Sequence, residues 1–133
     1  MIKGIVTSAF DLLHAGHILF LGECKNFCDE LTVALHVNPN LERKNKNKPI
    51  QSLFERQVQL TGCEYVDNII CYETEEELEN ILKSIHFDIR FVGSDYLDNK
   101  DKPITGEEYC KTHYMLRAHP YSSSELRERI KKA

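Results

Sequence analysis

The feature that most constrains the fold is an alternation along the chain. "GIVTSAF" at 4–10, "LTVALHV" at 31–37, "VDNIICY" at 66–72 and "DIRFVG" at 88–93 are short, apolar and rich in β-branched residues, and read as strands. Between them lie segments with helical periodicity or capping signals. Strands joined through helices at this spacing pair in parallel, and the unbroken apolar character of 31–37 suits a strand covered on both faces. The expected fold is α/β: a Rossmann-like open parallel sheet with helices on both faces, in one domain over residues 1–133.

The helices can be placed from their ends. Ile18, Leu21, Cys24 or Cys28 and Phe27 recur at helical spacing, so residues 15 to 28 read as helix. Ser52 and Glu55 have capping-box spacing and open a helix to Thr61, and Thr74 and Glu77 repeat the signal ahead of Leu78, Ile81, Leu82 and Ile85. Thr105 and Glu108 predict a short helix, "HYMLRA" a fifth strand, and "SSSELRERI" a last helix.

In such a sheet ligands lie beyond the carboxyl ends of the strands, at a switch point. The polar stretches 7–17, 38–48, 93–96 and 117–124 all fall at that end, so one pocket can collect them. The first contains "FDLLHAGH", two histidines three residues apart around a glycine, where a strand gives way to a helix. A zinc reading would recruit Cys24, but seven helical residues span about 10.5 Å, too far for ligands that each lie within about 2.3 Å of one ion. An anion site uses the whole stretch: unpaired N–H groups and partial positive charge at the helix start, Gly16 without a Cβ, and N–H donors from His14 and His17.

Composition narrows the partners. A formal charge of −4 argues against a general nucleic-acid binder, although "ERKNKNKP" at 42–49 is locally basic. No apolar run approaches a membrane span and no signal pattern opens the chain. Five cysteines without a paired framework indicate free thiols in a reducing compartment, so a cytoplasmic location is expected.

These segments together resemble the HxGH nucleotidyltransferase superfamily, and within it the cytidylyltransferase branch that includes glycerol-3-phosphate cytidylyltransferase. "FDLLHAGH" matches the HxGH segment, "KNKNKP" with "SLFER" resembles the lysine loop and the arginine-bearing helix after it, "YVDNII" the strand that follows, and "RAHPYSSSEL" the signature R-T-E-G-I-S-T/S-T/S. The chain departs from that branch at Ser8-Ala9, where Gly-Thr is usual, at Asn38, where an acidic residue often stands, at Ala118-His119-Pro120, where T-E-G is usual, and in a longer loop over 96–109.

The resemblance implies attack by an acceptor phosphate on the α-phosphorus of CTP, with release of pyrophosphate and a CDP-alcohol as product. Adenylyl transfer on the same scaffold and nucleotide binding without catalysis are the alternatives. His14, His17, Lys46 and Arg117 are expected to be catalytic. Ser8, Ala9, Phe10, Gly16, Lys44, Lys48, Gly93, Asp95, Tyr121, Ser122, Ser123 and Ser124 are expected at the nucleotide, and Asp11, Arg56 and Tyr96 at the acceptor, a small phosphoalcohol such as glycerol 3-phosphate. Which lysine of "KNKNK" turns inward is open. Magnesium is expected to arrive with the triphosphate, held by phosphate oxygens and water rather than by a set of protein ligands. The resemblance also implies a homodimer.

Overall fold

The computed structural model describes residues 1–93, 104–116 and 119–133. Five strands, β1 (Lys3–Ser8), β2 (Glu30–His36), β3 (Asn68–Tyr72), β4 (Ile89–Gly93) and β5 (Lys111–Met115), form one sheet in the order β3-β2-β1-β4-β5. Every neighbouring pair is parallel. Helices α1 (Ala15–Lys25), α2 (Leu53–Thr61) and α3 (Glu75–Ser84) follow the first three strands, and α4 (Ser123–Lys132) follows the fifth.

Alternation along each strand divides the core into two layers. Val6, Leu31, Val33, Leu35 and Phe91 meet Leu21 and Cys24 of α1 and Leu60 of α2. Ile5, Ala34 and Tyr72 face the other way, onto Leu78 and Leu82 of α3. Burying each such leucine stabilises the fold by about 1.5–3 kcal/mol. The expected α/β architecture with helices on both faces is what forms.

Capping chemistry sets the helix starts. Ser52 and Glu55 make the reciprocal box foreseen from their spacing, at 3.2 and 3.0 Å. Thr74 accepts from the Glu77 N–H, but the Glu77 carboxylate turns to the N–H of Glu73 instead of Thr74. Three expectations need correction. Helix α1 stops at Lys25, not 28, because the backbone of Asp29 already bonds Ile2 at the entry to the sheet. Phe27 is therefore half exposed and lies against His113 of β5, 4.8 Å between ring centroids. Residues 105–109 form turns rather than a helix: Gly106 sits at φ 74°, and Thr105 donates its hydroxyl to Glu75 instead of capping. Ile85 lies past the end of α3 and is exposed.

The sheet order places β1 and β4 side by side with their onward connections running in opposite directions. This is the switch point, and the crevice at the carboxyl ends of β1 and β4 opens there.

Candidate active site

A cleft of about 630 Å³ occupies this crevice. That is within the usual range for a small-molecule site. It is bounded by the β1–α1 turn, the end of β2, the 38–49 loop, the end of β4 and the start of α4.

The β1–α1 turn is built under strain. Phe10 and Leu12 both take left-handed backbone, φ 46° and 53°. Non-glycine residues there cost of order 1–3 kcal/mol each and persist only where the surroundings hold them. Here Leu12 N–H donates to Gln51 Oε1 at 2.8 Å, and Asp11 accepts from the N–H groups of Ile50 and Gln51 at 2.8 and 2.9 Å. Asp11 also pairs with Arg127 of α4 at 3.0 Å. Although Asp11 lines the cleft, its carboxylate oxygens are engaged by the protein, so it ties the turn, the 49–51 segment and α4 together instead of facing an acceptor.

The two histidines are themselves the cap of α1. His14 is the N-cap residue, and its Nδ1 accepts from the Gly16 N–H at 3.0 Å. His17 Nδ1 accepts from the His14 N–H at 3.2 Å, so the pair makes a capping box in which imidazoles replace the usual serine and glutamate. An Nδ1 that accepts carries no proton, so both neutral rings keep theirs on Nε2. His14 Nε2 lies 3.1 Å from the hydroxyl of Ser123, across from α4. The rings stack on each other, centroids 3.9 Å apart, and the buried Phe10 closes edge-on behind His17 at 5.3 Å. Burial, then the neighbouring His14, lower the His17 pKa to about 3, against a smaller opposing pull from Asp11. His17 is therefore held as a neutral ring.

Gly16 lines the cleft, and its missing Cβ also makes room for two imidazoles. A Cβ there would lie 2.8 Å from the rings of both His14 and His119. Two protein imidazoles crowd the position that a Cβ would take. His119, one of the departures from the signature, is the residue sequence reasoning missed. It lines the cleft, its Nδ1 accepts from the Tyr121 N–H at 3.2 Å, and its ring stacks with Tyr121 at 5.8 Å.

The remaining expected residues divide. Ser8, Ala9, Lys46, Gly93, Tyr121, Ser122 and Ser123 line the cleft with the histidines. Ser122 caps α4 by accepting from the Glu125 N–H at 3.0 Å, and Ser123 meets His14. Ser124 is one position further round the helix, exposed and outside the cleft lining. Lys48 borders a separate shallow depression, and Lys44 borders neither, which leaves Lys46 as the inward lysine of the three. Asp95, Tyr96 and Arg117 lie outside the described residues.

Arg56 corrects its expectation most clearly. It is 2% exposed, and its guanidinium donates to the carbonyls of Ala9, His36 and Val37 at 3.2, 2.8 and 2.7 Å. Those carbonyls end β1 and β2, so this cation fastens the floor of the cleft and is not directed at an acceptor phosphate. Among the described residues no three metal-ligating side chains converge. Among the described residues, the carboxylates lining the cleft are Asp11, already engaged, and Glu23.

A family model described as cytidylyltransferase-like matches residues 5–129. The bifunctional protein HldE of Helicobacter hepaticus (strain ATCC 51449 / 3B1) is 32% identical over 126 residues, 93% of this chain and 25% of that protein. HldE of Helicobacter pylori (strain HPAG1) is 34% identical over 125 residues, covering 92% and 26%. The chain thus spans about a quarter of the length of these curated relatives. Among solved structures, the lipopolysaccharide core biosynthesis protein from Thermoplasma volcanium GSS1 superposes with a TM-score of 0.61 at 25% identity, over 99% of this chain and 88% of that one. Pantothenate synthetase from Thermus thermophilus gives 0.64 at 13% identity, over 100% and 65%, a likeness of fold alone.

Proposed function

The chain belongs to the cytidylyltransferase-like family, and on that premise we propose that it transfers CMP from CTP to the phosphate of a small phosphorylated alcohol such as glycerol 3-phosphate. An acceptor phosphate oxygen bonds to the α-phosphorus, the α–β bridging bond breaks, and pyrophosphate leaves. Such a displacement needs alignment and charge stabilisation more than covalent help.

The observation that carries this reading is the imidazole pair at the α1 N-cap, facing Ser123 at the start of α4. The two helix starts and two fixed Nε2–H donors converge where phosphate oxygens gain charge. Lys46 reaches the same cleft from the 38–49 loop and supplies the cation for the triphosphate. Arg117 belongs to this proposal through the resemblance, as do Asp95 and Tyr96, the accompanying magnesium and a homodimer.

Pyrophosphate release with CTP and ATP, each against a panel of phosphoalcohols and sugar phosphates, tests it. A site that hydrogen-bonds the edge of a base rejects the wrong base strongly, so kcat/KM for CTP should exceed that for ATP by about 10²-fold. Equal or better use of ATP selects adenylyl transfer instead. His14→Asn keeps an N-cap acceptor but removes the Nε2 donor, so kcat should fall by about 10²-fold with the fold retained. Near-normal turnover in that variant would make the pair purely structural.

A further inference from the structure

A third imidazole joins the pair at the start of α1. A Cβ on Gly16 would lie 2.8 Å from Cε1 of His14 and 2.8 Å from Cε1 of His119, so the two rings flank one point. His14 stacks in turn on His17, and His119 is near enough that its charge would oppose a charge there. All three rings line the cleft. The third arrives from a distant part of the chain, just ahead of Ser122, the N-cap of α4.

The three rings are held in the same way. Each Nδ1 accepts from a backbone N–H: His14 from Gly16, His17 from His14, and His119 from Tyr121. A backbone amide can only donate, so the Nδ1 it meets carries no proton, and the proton of His119 sits on Nε2. Stacking on Tyr121, with 21° between the planes, sets the attitude of the ring. A donor whose tautomer and plane are fixed before a ligand arrives needs little reorganisation when charge develops beside it.

Position selects the ligand atoms. His119 stands on the α4 side, where Ser122 accepts from the Glu125 N–H and Ser123 accepts from His14 Nε2. Both hydroxyls accept from the protein, so each keeps its own O–H to donate. A base or an alcohol would use one of these donors. A pyrophosphate group, with oxygens on two phosphorus atoms, can use the serines, the helix start and His119 together. The resembled signature carries glutamate at this position, which only accepts when ionised, and this chain substitutes a donor.

We infer that His119 is a third catalytic imidazole, donating its Nε2–H to the pyrophosphate part of the triphosphate as the α–β bridging bond breaks and charge collects there. The proton stays on the ring throughout. This rests on the transfer reading above.

The test titrates the full chain, labelled with ¹⁵N-histidine, at constant ionic strength and follows the ring nitrogens by NMR. Loss of a signal in His119→Phe or His119→Gln assigns it. The His119 Nε2 signal should move saturably with inorganic pyrophosphate and stay in place with CMP. Silence toward pyrophosphate, or movement with CMP instead, overturns the assignment. The two variants separate donor from packing: phenylalanine keeps a ring on Tyr121 without the N–H, and glutamine keeps an N–H donor without the ring. His119→Phe should weaken pyrophosphate binding, read by calorimetry, and lower kcat, each by about tenfold, with His119→Gln recovering most of both. The reverse ranking would make His119 a packing residue. Should no triphosphate support pyrophosphate release, the transfer reading falls, yet the titration still decides what His119 binds.

Discussion

Replacing His17 by glutamine separates the charge of the ring from its place in the helix cap. Glutamine at the third helical position can still accept from the N-cap N–H, so the box survives while the titration is lost. In the folded chain the His17 pKa lies at about 3, against 6.5 for an ordinary imidazole. Between those values the unfolded chain binds a proton that the folded chain refuses. Stability linked to this group is therefore whole above pH 6.5 and drains away as pH falls toward 3. From pH 7 to pH 5 the loss is about 2 kcal/mol, since each unit of pH inside the window is worth about 1.4 kcal/mol. Urea unfolding of wild type and His17→Gln at pH 7, 6 and 5 measures it. His36, whose pKa is also lowered, contributes to both chains and cancels in the difference. The gap between the two stabilities should shift by about 2 kcal/mol in favour of the variant as pH falls. Parallel curves would refute the buried neutral ring, and with it the view that the site works through uncharged donors.

Replacing Lys44, Lys46 and Lys48 one at a time should raise KM for the triphosphate mainly at Lys46, and equal, small, salt-sensitive effects would mean that the loop acts only as diffuse charge. Arg56→Ala removes the donor from the carbonyls of Ala9, His36 and Val37 and leaves a cavity at a fully covered site, so it should destabilise the fold by about 3 kcal/mol, read as a lower unfolding midpoint; a stable variant with a raised acceptor KM would return Arg56 to the substrate.

What could be read from the sequence followed from periodic and local rules. Apolar runs and capping spacings at Ser52–Glu55 and Thr74–Glu77 placed the sheet and helices, because those signals depend on neighbours a few residues apart. The histidine turn stood out for the same reason, as two imidazoles around a glycine at a strand-to-helix junction. Its role as the cap of α1 was not, because histidine is seldom an N-cap and nothing in "LHAGH" signals one. The strained Phe10 and Leu12 were equally silent, since left-handed backbone is normally announced by glycine or asparagine and here is enforced from Gln51, 39 residues away. Arg56 and Asp11 looked like substrate groups because charge suggests a ligand. Only the tertiary arrangement reveals that carbonyls, amides and Arg127 had already claimed them. His119 was missed because no local pattern marks it.

Helix α4 contributes no buried residue and no member of either core cluster. Yet it supplies Ser123 to His14, from 109 positions away, and Arg127 to Asp11. During synthesis it is the last of these elements to leave the ribosome, after all five strands. The nascent chain can bury its core and look finished while His14 still lacks its serine. The serine that meets His14 thus comes from a helix that follows every strand of the sheet and adds nothing to the core.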